Sequence, residues 1–228
     1  MKKSLLLLIP LMLTLGACNT RKEPEVPDIP DTPDVPDKPD WGETATKEIV
    51  FKGDKTRSGL TSGSQLGDPA FDTALTSLIN AQTDNSLTAL GGHKCAFQDV
   101  GGDTGSDSSL TIGAGKYDGL IYFTFNIEIV QIDVAIQNYF NPHHDYQTNK
   151  DVTGIDVDAE IVMCSYSPTD GAKESKEVSL ATTDAVNIPN ERSETLEFKE
   201  PTNTIAFYNN AASHRTYIHS ISITYLVK

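Results

Sequence analysis

The residues best suited to chemistry gather in two short stretches of the 228-residue chain. The first, NYFNPHHDYQTNKD, clusters Tyr139, Phe140, His143, His144, Asp145 and Tyr146. Aromatic faces stack on sugar rings while polar neighbours bond hydroxyls. Neutral imidazoles and a carboxylate also bind transition metals. Adjacent histidines on a strand point to opposite faces, however, so shared ligation needs a particular turn. The plain alternative is an exposed connection whose Tyr139 caps the core. The second stretch, SHRTYIHS, holds His214, Arg215, Tyr217 and His219. The last three fall on one face of a strand. That face could meet a sugar or a carboxylate, or it could be a solvated β-face with an inter-strand salt bridge.

Other clusters offer less. In DVGGDTGSDSS, Asp99, Asp103 and Asp107 lie among glycines. Oxygen-rich loops of this kind can hold calcium, but the spacing does not fit an EF-hand, and a solvated turn is the better account. No cofactor is otherwise implied. Asp156, Asp158 and Glu160 share a strand face, yet glycoside hydrolysis needs a second, opposed carboxylate. The chain has no nucleophile elbow, P-loop, dinucleotide fingerprint or H-E-x-x-H zinc motif. This points away from an enzyme. Trp41 is the single tryptophan and sits at a linker junction, so tyrosines would have to serve as any aromatic platform.

The charge excludes one class of partner. With 32 Asp and Glu against 18 Lys and Arg, the formal net charge is -14. Such a chain repels phosphate backbones, and nucleic acid is not an expected ligand.

The N-terminus, MKKSLLLLIPLMLTLGACNT, has a positive start at Lys2 and Lys3, a short apolar run from Leu5 to Leu15, and small residues at Gly16 and Ala17. The run is too short for a comfortable membrane span and reads as a signal peptide over residues 1–17. LGAC resembles the lipobox of bacterial lipoproteins. That resemblance implies cleavage before Cys18 and a diacylglycerol on its thiol, anchoring the chain outside the cytoplasm, to the cell membrane or the outer membrane. Acyl chains contribute about 0.8 kcal/mol per buried methylene, enough for stable attachment. In an exported protein, Cys95 and Cys164 could pair across a long loop. The alternative is two separate buried thiols, which suits Cys164 in the apolar run AEIVMCSY.

Residues 18–42 form the lipidation site and a stalk. From Pro24 to Pro39 every third residue is proline, and Asp28, Asp31, Asp34, Asp37 and Asp40 follow the last five. Polyproline II has three residues per turn, so the prolines line one edge and the mutually repelling aspartates another. The expectation is a stiff, disordered spacer reaching about 60–70 Å.

The elements that must position the candidates lie in residues 43–228. DPAFDTALTSLINAQ is the one good helix, with Asp68 as N-cap, Pro69 at N1, and Phe71, Leu75, Leu78 and Ile79 on one face. Everything later reads as β. In GLIYFTFNIEIVQIDVAIQNYF, Val130, Ile132, Val134 and Ile136 alternate with polar or small residues. In TGIDVDAEIVMCSY, Ile155, Val157, Ala159 and Ile161 do the same. KEVSLA, ETLEFK and NTIAFYN read as shorter strands, and RTYIHSISITYLVK closes the chain. Short strands without alternating helices predict an antiparallel β-sandwich or jelly roll with one short helix.

The strand rhythm of SSLTIGAGKYDGLIYFTF, NTIAFYN and RTYIHSISITY is similar to the galactose-binding-like jelly rolls of surface lipoproteins, a group that includes many carbohydrate-binding modules. That resemblance implies a fold and, more weakly, glycan binding. The expectation is a surface-exposed, non-catalytic binding or adhesion module with a glycan or surface-protein ligand. The alternatives are a structural envelope lipoprotein packed on a protein partner and an unrecognised hydrolase.

Overall fold

The computed structural model describes residues 39–54, 60, 63–101, 107–114, 117–140, 142–145, 147–152, 158–181, 191–210 and 215–228. The signal peptide, Cys18 and the proline–aspartate ladder up to residue 38 lie outside the described residues, as do Asp103, Tyr146, Asp156 and His214. Residues 39–228 form a single compact unit.

Its elements, in chain order, are β1 (Thr44–Val50), β2 (Gly53–Asp54), α1 (Pro69–Thr83), β3 (Leu87–His93), β4 (Cys95–Val100), β5 (Asp107–Ile112), β6 (Leu120–Asn138), β7 (His143–Asp145), β8 (Lys150–Val152), β9 (Glu160–Ser167), β10 (Gly171–Ser179), β11 (Glu191–Tyr208) and β12 (Thr216–Leu226). The helix starts and stops for local reasons. The Asp68 carboxylate accepts from the Ala70 amide at 2.9 Å, and Pro69 opens the first turn. Asp84 closes the helix in the left-handed region at φ 52. Phe71, Leu75, Leu78 and Ile79 are its buried stripe, as the spacing predicts.

All the strand pairs are antiparallel, and ten strands join in one sheet. Two long strands, β6 and β11, divide that sheet into halves. The first half of β6 pairs with β3 on one side and with residues 202–208 of β11 on the other, and β9 and β10 follow. The second half of β6 pairs with residues 191–197 of β11 and with β12, which carries β1 and β5; β5 in turn pairs with β4 and β2. The molecule is an antiparallel β-sandwich, mainly β with one helix.

The two halves share one core because β6 changes phase. Ile121, Phe123, Phe125 and Ile129 face it in the first half, and Ile132, Val134 and Ile136 in the second. The switch falls at Val130, for which neither neighbouring strand supplies a registered partner: Ile129 pairs Thr202 and Tyr225, and Gln131 pairs Glu197 and Thr224. One extra residue re-aims every side chain after it. Val130 is buried but lies outside the core cluster, unlike the simple alternation expected of it. Across the core, Phe123 of the first half stacks on Phe51, which follows β1 of the second, at 6.2 Å.

Three strand expectations change. ETLEFK and NTIAFYN are parts of one strand, β11, interrupted by the register shift between Glu197 and Thr202. β9 begins at Glu160, with Asp158 in a turn, while Ile155, Asp156 and Val157 of the alternation lie outside the described residues. β3 and β4, rich in small and polar residues, carry no clear alternation and were not expected as strands.

Gly92 sits at φ +139, and a Cβ there would run into the Leu120 carbonyl of the paired strand. Both the torsion and the space exclude a side chain. Gly92→Ala is expected to cost more than about 2 kcal/mol, read as a lowered urea midpoint at unchanged slope.

Candidate functional site

β12 presents Tyr217 and His219 to one side, with Arg215 just before the strand in the same two-residue phase. The structure stacks them with Tyr139 into a column. The Arg215 guanidinium carbon lies 3.4 Å above the Tyr139 ring centre. Tyr139 stacks on Tyr217 at 5.3 Å, and Tyr217 on His219 at 5.9 Å. Tyr139, Tyr217 and His219 are buried. The Tyr217 hydroxyl donates to the Asp99 carbonyl, with the Phe140 carbonyl at 3.3 Å. This corrects the sequence expectation for Tyr217 and His219. Their shared face is neither solvated nor open to a ligand, because it is packed and its polar atoms are spent inside the protein.

The hydrogen bonds around His219 define its protonation. Ser109 Oγ donates its proton to the Ile218 carbonyl at 2.6 Å, so it can only accept from Nδ1, 3.0 Å away. A neutral ring then accepts at Nε2, 3.0 Å from the Gln137 amide. The Gln137 nitrogen has no other partner, so turning that amide to donate satisfies both groups. Burial pulls the His219 pKa down from 6.5 to about 4, and Lys52 adds to this against the opposing pull of Glu191 and Asp107.

The remaining candidates are dispersed. β7 and β8 pair as a hairpin, with the His143 backbone opposite Val152 and that of His144 opposite Asp151. Asp99 lies on β4 and accepts from Ser108 at 2.7 Å, while Asp107 lies on β5, paired with Val100. Among the described residues, no three His, Cys, Asp or Glu groups gather as a metal site. Cys95 and Cys164 are separate, buried, free thiols, which removes the disulfide alternative. Burial pushes both thiols up, Cys164 to about 12.

A different surface has the stronger geometry. In the first half of the sandwich, Ile161, Met163, Ile205 and Phe207 point into the core. Their neighbours Val162, Cys164 and Ala206 are equally buried but outside that cluster, on the opposite face. Three tyrosines share this outer phase: Tyr122 opposite Ala206, Tyr208 opposite Val162, and Tyr166 two residues beyond Cys164. Tyr122 and Tyr166 stack at 5.5 Å with 22° between their planes. The Tyr122 hydroxyl occupies the space that a Cβ on Gly91 would need. Burial raises the Tyr208 phenol pKa, with Cys164 and Glu177 adding to it.

A groove of about 370 Å³ crosses this face. His93, Leu120, Tyr208, Tyr166 and Ala172 line it, one residue from each of β3, β6, β11, β9 and β10. Asp118 and Asn210 also line it. Asn209, itself buried, fixes the Gly119 amide through its side-chain oxygen. A second groove of about 470 Å³ shares Tyr166 in its lining, with polar groups including Lys173, Glu174, Glu200 and Asn203. Tyrosine rings over an apolar floor with amide and carboxylate groups nearby suit stacking plus hydrogen bonding. Tyr122, Tyr166 and Tyr208 were not singled out from sequence. The available signal was their place in the outward phase of strands that also carry core residues.

No family model matches the chain, and no curated protein matches it. Among solved structures it is similar to a mutant family 29 carbohydrate-binding module, at 14% identity and TM-score 0.40, covering 80% of this chain and 92% of that one. It is similar to a further family 29 module at 12% identity and TM-score 0.38, covering 80% and 90%. It is also similar to the module TmCBM61 in complex with β-1,4-galactotriose, at 8% identity and TM-score 0.33, covering 61% and 88%. Likeness at this level names no ligand for this chain.

The buried imidazole predicts acid sensitivity. The unfolded ring binds a proton as pH falls through 6.5, whereas the folded ring resists until about 4. His219 therefore contributes its full stability above pH 6.5 and loses it progressively down to pH 4, by roughly 3 kcal/mol. Urea unfolding across that range measures the slope, and His219→Gln is expected to remove this share of it.

Proposed function

We propose that this chain is a non-catalytic glycan-binding module held outside the cytoplasm by a lipid anchor at Cys18. The observation that carries the binding reading is the tyrosine groove, which crosses five adjacent strands. At about 4.8 Å per strand spacing it extends roughly 19 Å, longer than a single sugar ring. Two tyrosine rings, Tyr166 and Tyr208, with polar groups beside them suit a chain of rings that are apolar on their faces and hydroxylated at their edges. The LGAC motif and the proline–aspartate ladder support the anchored, spaced-out display.

Affinity electrophoresis through gels containing neutral polysaccharides tests the binding reading. At least one gel should retard the protein, and Tyr166→Ala or Tyr208→Ala should weaken that retardation by tenfold or more with an unchanged thermal midpoint. Retardation that survives both substitutions would move the site elsewhere.

The anchor is tested separately in bacterial cells. Cys18→Ser should shift the protein from the membrane fraction to the soluble extracytoplasmic fraction. A variant that stays with the membrane would rule out acylation as its attachment.

A further inference from the structure

Tyr166 lines both grooves, so they adjoin at that residue. Their chemistry differs. The first is lined by Tyr166, Tyr208, Leu120 and Ala172 beside His93, Asp118 and Asn210, whereas most of the residues lining the second are polar and come mainly from β6, β9, β10 and β11. Two of its three carboxylates have partners. Glu174 accepts from the Lys199 amide at 2.7 Å, and Glu128 lies 3.7 Å from the Lys228 ammonium. Lys173 and Glu200 are exposed, one on β10 and one in the register break of β11.

We infer that the second groove is a separate set of subsites for the same glycan chain, which passes over Tyr166 from one groove into the other. This rests on the glycan reading of the first groove. A chain that fills the first groove reaches Tyr166. Continuing past it brings sugar hydroxyls to Lys173, Glu174, Glu200 and Asn203, where charged groups make the stronger class of hydrogen bond. The first groove supplies stacking, and the second reads hydroxyl orientation. Affinity should therefore rise in two stages with chain length, instead of levelling off once the tyrosine groove is full.

Calorimetric titration of the full chain with linear β-linked glucan, mannan and galactan oligosaccharides tests this. The lengths to compare are about four residues, which match the span of the first groove, and about eight. The eight-residue chain of the bound type should bind at least fivefold tighter than the four-residue chain. The double variant Lys173→Ala, Glu200→Ala should bring the longer chain down to the affinity of the shorter one and leave the shorter one unchanged. Both positions are exposed, so the fold should tolerate the change, and an unchanged thermal midpoint confirms it. Equal affinity at the two lengths would overturn the inference, as would a double variant that weakens both lengths equally, while the tyrosine site would stand. Absence of binding at either length to all three series, together with no effect of Tyr208→Ala on any retardation, would sink the glycan reading and the second groove with it.

Discussion

The sandwich depends on one extra residue in β6. An extended strand sends alternate side chains to opposite faces, and β6 runs for 19 residues through both halves of the sheet. Without an interruption, Ile132, Val134 and Ile136 would face away from the core that Ile121, Phe123 and Phe125 build. Val130 takes up the slip and bends the strand, so both of its segments line the same interior. β11 answers on its own side, with residues 198–201 intervening between registered pairs and Phe198 turned into the core. Of the other strands, β3, β9 and β12 pair directly with these two, and the rest of the sheet builds out from them.

Once the core takes the inner faces, the outer faces have different fates. In the second half, Ser109, Thr111, Gln137, Tyr217 and His219 are buried although they lie outside the core cluster. That face is sealed, and its cost is met by stacking and by the chain of bonds from Ile218 through Ser109 and His219 to Gln137. In the first half, the outer face keeps its tyrosines half-buried over small residues and stays open as a groove. The same alternation therefore produces a structural lock on one half and an accessible platform on the other.

What was legible in sequence follows from this. The helix was readable because its cap, its N1 proline and its apolar stripe are local signals. The all-β class and the second half of β6 were readable because Ile132, Val134 and Ile136 alternate strictly. The column was half-readable: Arg215, Tyr217 and His219 do share a face, but which face a strand buries on its second side is a tertiary fact. The platform was the hardest to see. Tyr122, Tyr166 and Tyr208 come from three strands far apart in sequence, and only the register of β6, β11 and β9 brings them together. A tyrosine beside core phenylalanines reads as one more core residue until the phase of its strand is known.

The placement of the tyrosines on paired strands has a consequence for affinity. Their backbones are fixed by the ladder, Tyr122 and Tyr166 already stack on each other, and Ala206 leaves room beneath them. Little side-chain freedom remains to be lost on binding, which favours association. The same rigidity means that no contact is gained by closing over a ligand. Each ring then contributes only its own stacking, on the order of 1 kcal/mol for an aromatic contact beyond area burial. A face of this kind accumulates affinity through the number of rings and hydroxyls engaged along a chain, not through the depth of any one pocket. Under the proposed anchoring, many copies share one membrane, and a modest affinity per copy becomes a strong hold on a polymer that several copies can reach at once. On that proposal a stalk and a shallow, extended groove would serve one end: the stalk would set how many copies can meet the same chain, and the groove how much of that chain each copy holds.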